Sequence, residues 1–460
     1  MPRHSTPPIS LISLGCPKNL ADLEAVVSLI SNPKIVEESK AEIVLLNTCG
    51  FLKAARAEVF TTLKKLKNKK VVILGCLSNH FTPQVQKTYP QIYAVVSSAN
   101  YKKIDQIIKG VAKNRRVTAL SKEPIIFENP IGKSLLYQRS YAYVKIAEGC
   151  DNRCTYCLIP YLKGHFRSRK MPDILNEVKS LLKKGIKEII LVAQDCGYYG
   201  VDLYKKPSLA KLLKRIMAIG GANVPSGHFI VRVLYVYPER ITDELLKTIN
   251  SLKHVCKYLD IPLQHGDPEI LKKMARQNNI QKTLALISKI RKRVPGIALR
   301  TSLIVGFPGE TAKAFANLKT FLKKINFNHV GVFEYSRERG TPAYNFPNQL
   351  PERTKSQRRK ELMLLQQQIS LAKNASLIGK TLLCLFDHAD YKKKHLIFRS
   401  QYLAPEIDGQ IIVPFNKVKE KIHLDKFYDK FYKILIKKAS PYDLEGELLR
   451  SPPRQTLPNH

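Results

Sequence analysis

Hydrophobic positions along the chain fall into three successive patterns. The first 112 residues hold three short, nearly continuous apolar runs at 9–16, 42–49 and 71–76, each closing on a cysteine: Cys16, Cys49 and Cys76. Unbroken apolar runs of this length predict strands buried on both faces, as in a parallel sheet. Helix-compatible segments, for example 53–66, separate them and predict a βαβα order. A basic, weakly periodic stretch at 113–138 reads as a linker. A second βα series then begins, with candidate strands at 143–150, 188–195, 229–236, 255–262, 298–307 and 330–336. The clearest helix between them starts at Pro172, lines up Ile174, Val178, Leu181 and Leu182 on one face, and closes at Gly185. Six such strands predict a partial (β/α)6 barrel, short of the eight of a full barrel.

The third pattern starts with a connecting helix over 354–373, on which Leu362, Leu365, Ile369 and Leu371 recur at near-helical spacing. Short strands at 381–386, 396–399, 410–413 and 433–436, with Asp408-Gly409 as turn residues, predict a small antiparallel β-barrel domain. The polar, proline-rich end, 451–460, is expected to be disordered. The expected class is therefore α/β in three domains: an open parallel sheet over 8–112, a barrel over 136–370, and a β-domain over 373–447.

Composition refines this picture. A chain of 460 residues exceeds what one core organises, and 44% hydrophobic content supports several. No apolar run has the length to cross a bilayer, and prolines at positions 2, 7 and 8 occupy the region where a signal peptide would need apolar residues. Nine cysteines, an odd number, without an export signal point to a reducing compartment and a cytoplasmic location. The net charge of +40, from 77 basic and 37 acidic residues, favours a polyanionic partner such as RNA or a ribonucleoprotein surface. Lysines spread along the whole chain fit a merely lysine-rich composition equally well.

The chemistry concentrates in cysteines. Cys150, Cys154 and Cys157 form a C-x3-C-x2-C spacing directly after the apolar run 143–147. Three thiols this close can bind three corners of a [4Fe–4S] cube and leave one iron open. Zinc would need a fourth ligand, for which His165 is the nearest candidate, but the spacing is unusual for zinc. Cys16, Cys49 and Cys76 stand at the ends of three predicted parallel strands, and open α/β sheets gather ligands at those ends. Free cysteines are often simply buried; three at equivalent strand ends favour a second metal site.

A cysteine triplet opening a βα barrel resembles the radical S-adenosylmethionine (SAM) enzymes. In them the open iron chelates SAM, whose reductive cleavage yields a radical that abstracts an unactivated hydrogen. The motifs around Cys16, Cys49 and Cys76, with Ala193-Gln194-Asp195, 258–265, 304–311 and 333–336, resemble those of the methylthiotransferase family. The resemblance implies two [4Fe–4S] clusters, an auxiliary one on Cys16, Cys49 and Cys76 and a radical-generating one on Cys150, Cys154 and Cys157. It also implies SAM as cofactor, with Gln194 and Asp195 lining its pocket, and a C-terminal TRAM-like domain that holds a macromolecular substrate. No catalytic residue beyond the cluster ligands is assigned.

Two branches divide the family, one acting on an adenosine of tRNA and one, RimO-type, on an aspartate β-carbon of a small-subunit ribosomal protein (the twelfth). Leu14-Gly15-Cys16-Pro17-Lys18-Asn19, Leu23-Glu24, Tyr235-Val236-Tyr237-Pro238 and the segment Ala404-Pro405-Glu406-Ile407-Asp408-Gly409 resemble the second. The implied partners are that protein or the assembling subunit, a low-potential electron donor and a sulfur carrier; no membrane is expected, and the oligomeric state stays open, with a monomer expected. The alternatives are the same chemistry on tRNA and a non-catalytic, metal-stabilised RNA-binding protein. This chain departs from the family at Cys196-Gly197 and Gly266-Asp267. Cys196 is expected to be a tolerated small residue, Cys256 and Cys384 core residues, and His265 a structural histidine as readily as a substrate contact.

Overall fold

The computed structural model describes residues 7–50, 53–78, 81, 83–121, 140–223, 229–276, 279–417, 427 and 430–449. The N-terminal sheet has six parallel strands: β1 (Pro8–Ser13), β2 (Lys34–Ile35), β3 (Ile43–Thr48), β4 (Lys70–Gly75), β5 (Ile92–Val96) and β6 (Val117–Ala119), in the order β2-β1-β3-β4-β5-β6. Ser13 pairs with Asn47 and Thr48 with Gly75, so β1, β3 and β4 end level with one another. The register thus carries the three following cysteines to one edge. Strand β6 lies inside the stretch read as a linker; 122–138 of that stretch, like 451–460, lie outside the described residues. The edge strands β2 and β6 escaped the sequence pattern because two or three residues carry too little periodicity, and the five-residue interior strand β5 was not picked out either.

The second unit holds six parallel strands: β7 (Tyr141–Lys145), β10 (Glu188–Val192), β11 (Ile230–Val233), β12 (Tyr258–Asp260), β13 (Ala298–Val305) and β14 (His329–Glu334). They form two three-stranded sheets joined by a bridge between Val231 and Val255. Side chains alternate with period two. Ala142, Val144, Ile189 and Leu191 pack under the surrounding helices, while Tyr141, Tyr143, Ile190 and Val192 fill the barrel interior with Leu234, Tyr258 and Ala298. A two-residue antiparallel ribbon, β8 (Ala147–Glu148) on β9 (Arg167–Ser168), pins both ends of the loop that carries Cys150, Cys154 and Cys157.

The helix Glu352–Ala375 leads to a closed barrel of β15 (Thr381–Asp390), β16 (His395–Ser400), β17 (Ile411–Pro414), β18 (Phe431–Ala439) and β19 (Leu444–Leu448). The helix buries Leu362 together with Gln366 and Ser370, whereas Leu371 faces solvent. The fifth strand, β19, was not anticipated, and it closes the barrel by pairing parallel to β17, not antiparallel. Gly446 lets β19 lie close against its other neighbour, β18, since a Cβ there would meet Ile434 at 2.5 Å.

The small barrel seals the amino-terminal ends of the large one. The segment 400–408 reaches into its interior, with Ala404 among the buried interior residues. Arg232 pairs with Glu188 at 2.6 Å and donates to the carbonyls of Ser400 and Gln401; Arg399 pairs with the same Glu188 at 2.7 Å and with Asp387. Tyr141 and Tyr258 donate to Glu406 and Asp408, each at 2.7 Å, and Arg300 bridges Asp260 and Asp408. The motif 404–409 is thus a plug at the barrel floor, far along the strands from the cysteine loop. No helix among the described residues is long and apolar enough to cross a membrane.

Candidate metal and cofactor centre

Chemistry gathers at the opposite, carboxyl-terminal ends of the strands. After β1, Gly15 turns the chain with φ +94, and an added Cβ would lie 3.0 Å from the Cys49 sulfur, so a side chain there would displace it. Cys16 is the extended N-cap of helix α1 (Pro17–Val27), with Pro17 pre-set for the first turn. Asn19, one residue further into α1 than Lys18, stitches the three strand ends together. Its Nδ2 donates to the Leu14 carbonyl at 2.7 Å and to that of Thr48 at 3.2 Å, and the Cys76 thiol lies 3.9 Å from its Oδ1. Asn47 donates back to the Asn19 carbonyl at 2.5 Å. Cys16, Cys49 and Cys76 are therefore brought to one edge, partly exposed.

The second triplet is organised locally. Gly149 adopts φ +82, and a Cβ there would meet the His165 carbonyl oxygen at 2.0 Å, so only glycine lets the loop close on itself. The Cys150 amide donates to Gly164 at 3.1 Å, the Cys157 amide to the Cys154 carbonyl at 3.1 Å, and the Ile159 amide to the Cys157 sulfur at 3.4 Å. Arg276, stacked 3.8 Å over Tyr237, points a nitrogen to the Cys154 sulfur at 3.8 Å. Burial pushes the Cys150 thiol up to about 11 and that of Cys157 to about 12. Thiols this reluctant to ionise in isolation become thiolates when a metal supplies the missing positive charge. Among the described residues, no three His, Cys, Asp or Glu side chains crowd closely enough to hold one shared metal ion. A single tetrahedral ion with bonds of about 2.3 Å demands such crowding; a cube of four irons spreads its three thiolates wider. Three thiols in one pinned loop, with no fourth beside them, fit a cluster that keeps an open iron.

Between the triplets lies a buried ionic cluster that sequence reasoning missed. Lys145, at the end of β7, bonds Asp22 of α1 and, at 2.6 Å, Glu148. Lys163 stands 3.6 Å from Glu148 and 4.0 Å from Asp22, and Gln194 donates to Glu148 at 2.9 Å. Burial alone would raise the Glu148 carboxyl, but Lys145 and Lys163 outweigh it and hold it well below the usual range. Burial likewise opposes charge on Lys163, yet Cys76, Glu148 and Asp22 raise it. Burial pushes the Cys76 thiol up to about 11, against the pull of Lys163. The cluster couples helix α1 of the N-terminal unit, which follows Cys16, to the barrel segment that leads into Cys150. Its members are scattered from position 22 to 194, and only their shared polarity inside apolar runs could have signalled them.

The other singled-out residues divide clearly. Gln194 keeps a buried Oε1 without a partner among the described residues, an acceptor open to a ligand's N–H. Asp195 is buried and ties the mouth together: it accepts from Gly197 at 3.0 Å and Tyr237 at 3.3 Å and lies 3.5 Å from Asn152. A cavity of about 670 Å³ opens beside the cysteine loop, bounded by Asn152, Tyr237, Arg240 and Arg276 among others, though none of the cysteines lines it. His165 is exposed and pairs with Asp151 at 2.9 Å. His265 is fully buried against Glu310 and accepts from Asp267, a structural role. Gly266 sits against the Phe321 ring, and Asp267 caps the helix Pro268–Lys273. Cys196, Cys256 and Cys384 are core residues.

Known proteins match along nearly the whole chain. Residues 144–322 match the Radical SAM superfamily, 9–97 an uncharacterised protein family, UPF0004, and 378–449 the TRAM domain. A protein of Gloeobacter violaceus named ribosomal protein uS12 methylthiotransferase RimO is 40% identical over 96% of this chain and 99% of its own. One of the same name from Thermoanaerobacter is 40% identical over 95% of this chain and 99% of its own. Among solved structures, the radical SAM methyltransferase TsrM of Kitasatospora setae aligns with TM-score 0.53 at 16% identity, over 74% of this chain and 77% of that one, a likeness of fold.

Proposed function

The chain belongs to the ribosomal protein uS12 methylthiotransferase family of radical SAM enzymes, and from that membership we propose how its residues divide the reaction. It is a methylthiotransferase that attaches a methylthio group to the β-carbon of an aspartate of uS12. Cys150, Cys154 and Cys157 hold the cluster that binds SAM; Cys16, Cys49 and Cys76 hold a second one. When bound, the first cluster and SAM supply a hydrogen-abstracting radical, and the second supplies the sulfur, with a further SAM as methyl donor.

The protein's own work is placement and exclusion of water. Gly149 and the β8–β9 ribbon fix the local triplet at the end of β7. Asn19 and Asn47 fix the dispersed one. Gln194 offers its open Oε1 to a SAM ammonium, and Asp195 orients the loop through Asn152. Lys145 and Glu148 lock α1 against the barrel so that the two triplets keep one separation. The observation that carries this reading is the convergence of Cys16, Cys49 and Cys76 at level strand ends, joined to the other triplet by that ionic cluster.

The TRAM domain braces the barrel floor and offers its outer face to the substrate. A low-potential reductant, a sulfur carrier and a cytoplasmic setting complete the proposal. Modification of tRNA is not favoured, given the uS12 name of the curated relatives. The test is anaerobic reconstitution with iron, sulfide, SAM and reductant, followed by mass spectrometry of uS12 and of tRNA offered separately. A methylthio increment on the uS12 aspartate is expected; an increment on tRNA alone would overturn the assignment.

A further inference from the structure

One cation at the barrel mouth is not engaged by the machinery above. Lys18 follows Cys16 by two residues in the first turn of α1 and is half-buried. Its ammonium lies 4.6 Å over the ring of Tyr235. Tyr235 sits just past the carboxyl end of β11 with φ +59, a conformation non-glycine residues adopt at a cost and that clusters at functional sites. Its carbonyl, by accepting from Cys196 at 2.9 Å, anchors this turn to the end of β10. The pair borders both triplets: Lys18 follows Cys16 by two residues, and Tyr235 precedes by two residues Tyr237, which stacks with the Arg276 that leans on the Cys154 sulfur.

Four other cations near the mouth are spoken for. Lys145 and Lys163 are committed to Asp22 and Glu148, Arg240 faces Asp195, and Arg276 donates to the Pro262 carbonyl at 2.5 Å and leans on Cys154. Lys18 has no ion pair or hydrogen bond among the described residues. An aspartate whose β-carbon reacts carries its carboxylate one bond from that carbon. Whatever fixes the carboxylate therefore fixes the reacting atom. An ammonium held by an aromatic face is suited to this, because the ring limits where it can point and the charge-assisted bond selects an anion over a neutral amide.

We propose that Lys18, oriented by Tyr235, binds the side-chain carboxylate of the substrate aspartate and is the specificity-determining residue that presents its β-carbon between the triplets. The proposal rests on the aspartate-modifying activity stated above. It is tested by measuring, on the reconstituted full-length protein, dissociation constants for uS12 and for uS12 with the target aspartate changed to asparagine. A charge-assisted bond to a carboxylate implies a preference for the aspartate form of about tenfold to a hundredfold. In Lys18→Gln this preference collapses to within about threefold, and Lys18→Arg retains most of it. Turnover of Lys18→Gln shows the loss mainly in KM.

Equal weakening of both substrate forms, or a preference kept by Lys18→Gln, overturns the proposal. So does the absence of a preference in the unsubstituted protein, a result that needs no variant to fold. If the unsubstituted enzyme thiomethylates uS12 while Lys18→Gln keeps its preference, Lys18 alone is misassigned. If the unsubstituted enzyme modifies only tRNA, the aspartate reading fails and this inference with it.

Discussion

The two cysteine triplets reach the same barrel mouth by different physics. Cys150, Cys154 and Cys157 lie within eight consecutive positions, and their geometry is set mainly by one glycine turn, one short ribbon and the hydrogen bonds of a single loop, with Arg276 and the backbone at 273–274 and 343 bracing it. Cys16, Cys49 and Cys76 span sixty-one residues and meet only because three strands end in register under an asparagine web. A local site can form whenever its loop forms. A dispersed site requires the whole sheet, so the second triplet should be the more sensitive to distant damage. The buried Asp22–Lys145–Glu148–Lys163 cluster is where the two depend on each other.

The largest expected effect that probes this contrast is loss of metal. The reconstituted chain should carry about eight irons, and Cys49→Ala and Cys154→Ala about four each, by iron analysis. Loss of all iron from either variant would show that the sites do not assemble separately. Lys145→Met comes next. It leaves Lys163 as the one cation balancing the buried carboxylates of Asp22 and Glu148 and should cost about 3–5 kcal/mol in chemical denaturation. Its iron loss should fall on the dispersed triplet first, and a loss confined to the local triplet would invert the comparison.

Gly15→Ala is milder, about 1–3 kcal/mol, because a Cβ at φ +94 is strained and presses on Cys49. Its signature should be weakened auxiliary iron with the local triplet filled. The smallest effect is on pH. The Glu148 carboxyl is held below its ordinary 4.5 by Lys145 and Lys163 despite burial, so its folded pKa is depressed. Its stabilising contribution is complete above about pH 4.5 and fades as the pH falls below that value. Glu148→Gln should flatten the acid limb of the stability profile, and an unchanged slope would remove Glu148 from the account.

Much of this was legible in the sequence, unevenly. The local triplet was readable because its spacing lies within one loop, and the six barrel strands because their apolar runs are long. Cys16, Cys49 and Cys76 were readable only through the inference that their strands are parallel and end level. The ionic cluster was hidden: Lys145 and Glu148 sit inside or beside an apolar run, where a charge looks like a solvated strand end until its partner from α1 is known. The parallel closure by β19 was missed because Leu444-Glu445-Gly446-Glu447-Leu448 is short and interrupted by glycine. The 404–409 motif was recognised as distinctive, but its place in the barrel floor depends on Arg232, Tyr258 and Arg300, each remote from it in sequence.

The division of labour between the triplets is tested most directly by comparing Cys49→Ala and Cys154→Ala in one anaerobic assay that reads both 5′-deoxyadenosine and the methylthio mass on uS12. Cys154→Ala should form neither product, while Cys49→Ala should still cleave SAM and leave uS12 without sulfur. If Cys49→Ala keeps its local cluster yet cleaves no SAM, the two triplets are not separate halves of the reaction.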